Sequence, residues 1–170
     1  MDSTRLLTNI IQRKVMLPEE MSPSMQRDNF EVALTDFEKH SIIKCLFKAD
    51  NQRSTECWSV QEIANFIENC TEDQNINLCI LYWKDIHGNI YIIDGAHRLS
   101  SIYAWVKRYF ADEQATQAPN FSDQQKEDIR DLRNHLGDLA DFQKICIDPK
   151  FAEQKSKLDD IKISFRQVLG

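Results

Sequence analysis

Five consecutive residues, Asp94-Gly95-Ala96-His97-Arg98, gather the chemistry of this chain. They stand inside the stretch YIIDGAHRLSSIYAW at 91–105. An apolar, β-branched run ends at Asp94. A single glycine follows, and Leu99, Ile102, Tyr103 and Val106 then recur at helical spacing. The pattern predicts a strand, a one-glycine turn and a helix from about 97 to 110. The first amides of a helix have no partners within it and carry the positive end of its dipole, so such a junction favours anions. Gly95 would let backbone approach a ligand without a Cβ in the way. Arg98 offers a planar fork to phosphate or carboxylate. His97 adds a donor or a proton-transfer group. Asp94 has three roles open to it: helix cap, orienter of an arginine, or metal ligand. The plainer alternative is structural, with Asp94 as an N-cap and Arg98 as a surface or ion-pair residue. The coincidence of Asp, Gly, His and Arg at one junction between two apolar elements favours a site.

The elements that must hold this junction are readable at intervals. Ser59 and Glu62 have capping-box spacing before an apolar face of Val60, Ile63, Ala64, Phe66 and Ile67, which predicts a helix over 60–69. Residues 76–83 (INLCILYW) read as a buried strand. Residues 85–89 supply turn chemistry, and 90–93 complete a hairpin. Ser122 and Gln125 form a second capping box, opening a helix to about His135 with Gly137 beyond it. Leu6, Leu7, Ile10 and Ile11 predict a helix within 1–15, and Phe30, Leu34 and Phe37 predict another over 29–38. Residues 41–48, 142–147 and 161–165 read as strands. The sum is an α/β (α+β) chain with a small mixed sheet and flanking helices. Residues 1–40 form an N-terminal helical segment. Residues 41–170 form the main domain, with an acidic helical insertion around 111–141.

Composition narrows the function classes. The chain has 170 residues, 42% hydrophobic and 28% charged, ordinary for a globular domain. No apolar run reaches membrane-helix length, and the start lacks a basic segment followed by an apolar stretch. A cytoplasmic protein without membrane partners is expected. The net charge of −6 argues against a coat of non-specific DNA contacts. The acid concentrates between 111 and 143, which carries net −5, while 144–170 is mildly basic at net +2. Five cysteines (45, 57, 70, 79 and 146) show no CxxC, so neither a disulfide framework nor a structural zinc site is expected. His87 is expected to be idle in the hairpin turn, His40 to end a helix, where a cation is favourable, and Asn134-His135 to be a capping or surface pair. Trp58, Trp83, Trp105 and Tyr103 could stack bases, but all except Trp58, loop-borne before the 60–69 helix, are expected in the core.

Asp94-Gly95-Ala96-His97-Arg98-Leu99 resembles the DG-x-[QH]-R-L signature of the ParB/sulfiredoxin superfamily. It is most like the N-terminal domain of GmrSD-type modification-dependent restriction proteins. Upstream, Gln52-Arg53, then Trp58, then a helix matches that family's QR pair, aromatic and helix. The likeness covers about 50–110. It implies a compact α/β fold with a nucleotide-phosphate site at the junction, built from Arg53, Gly95 and Arg98, with Gln52 as a weaker member. Asp94, His97 and Arg98 take the catalytic positions, and Asp94 that of a metal ligand. It further implies binding and hydrolysis of a nucleoside triphosphate with Mg or Mn, in DNA restriction, phage defence or DNA maintenance. DNA, or a nuclease partner or domain, would be the associate. Two other expectations stand beside this one: a non-catalytic DNA- or protein-binding module of the same fold, and a metal-dependent nuclease. The departures are specific. Ala96 replaces the glutamine of the GmrSD signature and the reactive cysteine of sulfiredoxins, so sulfinic-acid reduction is not expected. The GERR motif of ParB clamps is matched at only two of four positions. No segment here supplies an HNH nuclease. The chain stops just after a strand-like run, as a piece of a longer protein would.

Overall fold

A computed structural model describes residues 6–7, 10–20, 28–49, 58–72, 76, 78–111 and 120–168. Six strands form one mixed sheet: β1 Arg13–Lys14, β2 Phe30–Ala33, β3 Leu46–Ala49, β4 Cys79–Lys84, β5 Ile90–Asp94 and β6 Lys162–Gln167. Their spatial order is β1-β3-β5-β4-β6-β2. β1, β3 and β5 are mutually parallel, β4 runs antiparallel to β5 and parallel to β6, and β2 closes the far edge antiparallel to β6. The helices are α1 Val60–Glu72, α2 Ala96–Val106, α3 Asp123–Leu136, α4 Phe142–Ile147 and α5 Ala152–Asp159. The α+β class expected from the sequence is therefore present. No helix among the described residues is long and apolar enough to cross a membrane.

The elements nearest the junction form for local reasons. In α1 the Ser59 Oγ accepts from the Glu62 amide at 3.2 Å, and the Glu62 carboxylate accepts from the Ser59 amide at 3.0 Å. This reciprocal cap satisfies two otherwise orphaned donors. The β4–β5 hairpin turns on buried Asp85. Its carboxylate accepts from the His87 and Asn89 amides, the Asn89 side chain and the Tyr91 hydroxyl, all within 2.8–3.1 Å. Ser122 and Gln125 form the second capping box as expected. Below α2, Trp105 is fully buried, its indole N–H donating to the Leu139 carbonyl at 2.8 Å and its ring edge-on to Phe142.

Four expectations are corrected. The described residues within 1–15 form no helix. Leu6, Leu7, Ile10 and Ile11 are buried in turns and bends, and β1 joins the sheet edge beside β3. The helix expected at 29–38 is instead β2 followed by a 3-10 helix, Leu34–Lys39. Leu34 and Phe37 bury one face in either helix type, because three residues complete one 3-10 turn. Phe30 breaks from that pattern by stacking on Phe165, with ring centroids 4.9 Å apart. The strand expected at 41–48 begins only at Leu46, after a 3-10 helix at Ser41–Cys45 that His40 caps by accepting from the Ile42 amide. Residues 142–147 are α4, not a strand. Asp141 caps them through the Lys144 amide, and Phe142 with Ile145 forms a helical pair of buried residues. Their β-branched composition loses to that cap and that spacing.

Candidate functional site

The junction is built as the sequence predicts: β5 ends at Asp94, Gly95 turns, and α2 opens at Ala96. Gly95 sits at φ +99°, a left-handed conformation that side chains disfavour. It is also crowded. A Cβ there would meet the Ile80 Cδ1 at 2.6 Å and the Arg98 Nη2 at 3.3 Å. The missing side chain thus makes room for Ile80 and the Arg98 guanidinium. Asp94 is exposed and makes no cap on α2; Gly95 is the N-cap and has no side chain to give. That corrects the capping role and leaves the carboxylate at the solvent edge of the junction.

Arg98 is half-buried. Its guanidinium folds back to donate to the Cys79 carbonyl at 3.2 Å, tying the first turn of α2 to the start of β4. His97 stacks on Trp58, with centroids 5.3 Å apart and planes 22° from parallel. Trp58 in turn meets Phe66 of α1 edge-on at 5.6 Å. Ala96 is 1% exposed and belongs to the core. The position occupied by a polar or reactive side chain in the resembled families is here a packing position.

Gln52 and Arg53 lie outside the described residues, as does Cys57. The residues flanking that loop are informative. Ala49 ends β3, which runs parallel to β5, and Trp58 stacks on His97. Both flanks therefore stand at the junction's end of the sheet. A metal would find one described carboxylate here, Asp94. Among the described residues no group of three or more His, Cys, Asp or Glu side chains is placed to hold an ion. That donor set does not fit a protein-caged metal. It fits Mg²⁺ carried on phosphates, which takes one or two carboxylates and keeps its waters.

For Cys45 and Cys146, burial outweighs the nearby Lys84 and Lys155, so neither thiol is activated. Burial pushes Cys70 up to about 12 and raises Cys45 and Cys146 above their ordinary value. His87 is exposed in the hairpin turn, and Asn134 and His135 are exposed at the end of α3, as the sequence suggests.

Sequence reasoning passed over Lys48, the last basic residue of an apolar run. It is 2% exposed, beside Ile92 in register. Arg13 also went unnoticed; it lies beside Lys48 and donates to the Ala49 carbonyl at 3.2 Å. A lysine closing a strand-like apolar run was the available signal for the first. Nothing in the sequence marked the second, because its place depends on a strand pairing 36 residues away.

No protein-family model, no curated protein and no solved structure matches the chain.

Proposed function

We propose that the β5–α2 junction binds the phosphates of a nucleoside triphosphate with Mg²⁺ or Mn²⁺ and hydrolyses it. The protein would act in the cytoplasm, in DNA restriction, phage defence or DNA maintenance, alongside DNA or a nuclease partner. The observation that carries this reading is the turn at Gly95. It presents the N-terminus of α2, with His97 and Arg98 in its first turn, at the end of the sheet where Asp94 meets solvent. The ParB/sulfiredoxin-like resemblance supports the substrate class. In this reading Arg98 and Arg53 neutralise phosphate charge, Gln52 and Gly95 line the phosphates, and His97 handles a proton or orients water. Asp94 holds the metal that the nucleotide brings, which would supply charge neutralisation on the phosphoryl oxygens.

A second reading, the non-catalytic module, is favoured by two specific observations. Ala96 is packed in the core, and Arg98 is engaged with the Cys79 carbonyl. Calorimetric titration of ATP and GTP, with and without Mg²⁺ or Mn²⁺, separates the readings when paired with a phosphate-release assay. Metal-dependent binding and turnover supports the hydrolase. Binding without turnover supports the module. Absence of binding removes the nucleotide from both.

A further inference from the structure

The sheet has two outer edges, and they differ. At one, β1 shows exposed Arg13 and Lys14. Two cations on so short a strand repel a copy of themselves, a common protection of an edge. At the other, β2 carries Phe30, Glu31, Val32 and Ala33. Its register with β6, together with the bond from the Leu34 amide to the Ile161 carbonyl at 3.0 Å, fixes where each backbone group points. Alternate residues of an antiparallel strand bond the same neighbour, so Phe30, Val32 and Leu34 bond towards β6. The Glu31 and Ala33 amides and the Glu31 carbonyl point away from it, and no hydrogen bond among the described residues uses those amides.

The side chains alternate too. Val32 turns to the core and is 2% exposed. Glu31 and Ala33 share the opposite face with their β6 partners Ser164 and Lys162. Glu31 and Lys162 are exposed, and neither enters an ion pair among the described residues. Ala33, level with Lys162, is the small residue between that lysine and the outer edge. This arrangement is complementary to itself about a two-fold axis. An axis at Glu31 would set two carboxylates directly opposite, which is unfavourable. An axis at Ala33 would run each strand against the other's 3-10 helix, which offers no ladder. An axis at Val32 has neither fault. It opposes the two valines at the closer, non-bonded spacing of an antiparallel pair and lets each Ala33 amide donate to the other copy's Glu31 carbonyl. Each Glu31 then lies level with the other copy's Lys162, with only the Ala33 methyl between them.

We infer that β2 is a docking edge for a second copy of this chain, paired antiparallel about Val32, with Glu31 of each copy set against Lys162 of the other. Backbone bonds and exposed ion pairs across so short a strand make a transient dimer rather than an obligate one. Sedimentation velocity of the full chain, over a concentration series rising into the millimolar range, tests it. Ala33 stands at φ −62° and ψ 137°, a backbone that proline adopts without strain. Ala33→Pro therefore removes the outward N–H and leaves the β6 ladder whole. It should raise the dimer dissociation constant by about 10- to 100-fold, the worth of two hydrogen bonds, with the thermal melt of dilute protein unchanged. Glu31→Lys and Lys162→Glu should each weaken the dimer as well. The double variant should recover it, because the exchange restores opposite charges across the axis. Residues that matter only within one chain would not give that recovery in the dimer. Should Ala33→Pro fail to fold, the charge exchange decides alone. A wild-type chain that stays monomeric throughout the series overturns the inference. So does a dimer that Ala33→Pro and the single charge reversals leave unchanged, since it then forms on another surface.

Discussion

Gly95 carries two constraints at once, and one substitution exposes both. Gly95→Ala must hold a side chain at φ +99° and push aside the Ile80 methyl, 2.6 Å from the new Cβ. A non-glycine residue in a strained region costs of order 1–3 kcal/mol. Urea denaturation should show a loss of at least that size, and an unchanged midpoint would mean the turn can be rebuilt. His97 and Arg98 divide differently. Arg98→Ala should weaken nucleotide binding and turnover together, and should also loosen the tie to Cys79. His97→Ala should leave binding nearly intact and slow phosphate release by about 10²–10⁴-fold, the range of one positioned acid–base group. Phosphate release by folded variants at saturating nucleotide checks this. Turnover that survives His97→Ala would place the imidazole outside the mechanism, as a stacking partner of Trp58 only.

The β4–β5 hairpin is held by one carboxylate. Burial pushes Asp85 upward, but hydrogen bonds from the Asn89 side chain and amide, the Tyr91 hydroxyl and the His87 amide outweigh it and hold the group below its ordinary 3.8. A depressed folded-state pKa gives stability that is fully present above the unfolded value and lost as pH falls through the folded one. Asp85→Asn should therefore destabilise the protein at pH 7 by about 1–3 kcal/mol. The gap to wild type should close progressively below about pH 4. Chemical denaturation at several pH values measures it, and a constant gap would deny the carboxylate this role. The same scale explains what the sequence disclosed. Ser59 with Glu62, Ser122 with Gln125, the Asp85 turn and the Gly95 turn are local signals three to six residues wide, and each formed as read. Local spacing predicts a helix at β2 because its reason for being a strand is β6, whose Gln167 accepts from the Asp28 amide 139 positions away. Residues 142–147 have strand-like composition, but the Asp141 cap and the buried Phe142–Ile145 pair make them a helix, α4. The candidate site divides likewise. Asp94, His97 and Arg98 are contiguous and visible, whereas Lys48 and the Trp58–His97 stack exist only once strands and helices are assembled.

For the molecule as a whole, the described thiols Cys45 and Cys70 serve packing. Cys70 is fully buried in the core, and Cys45 donates to the Ile42 carbonyl at 3.2 Å. Replacing all five cysteines, Cys70 by Ala and the others by Ser, should leave nucleotide affinity within twofold in protein that folds, roughly 0.4 kcal/mol on the usual scale. Calorimetry beside a thermal melt decides it. A folded single-cysteine variant that no longer binds would return that thiol to the site.

The strand order has a consequence for synthesis. β6, the last of the described strands in chain order, lies between β4 and β2. β2 leaves the ribosome early and then has no sheet to join until β6 emerges, because β6 is its neighbour in the ladder. Phe30, Val32 and the strand's inward backbone donors must wait unpaired until β6 has been made. Such late, long-range closure slows folding and leaves an aggregation-prone segment uncovered. The strand that finishes the sheet also ends that exposure.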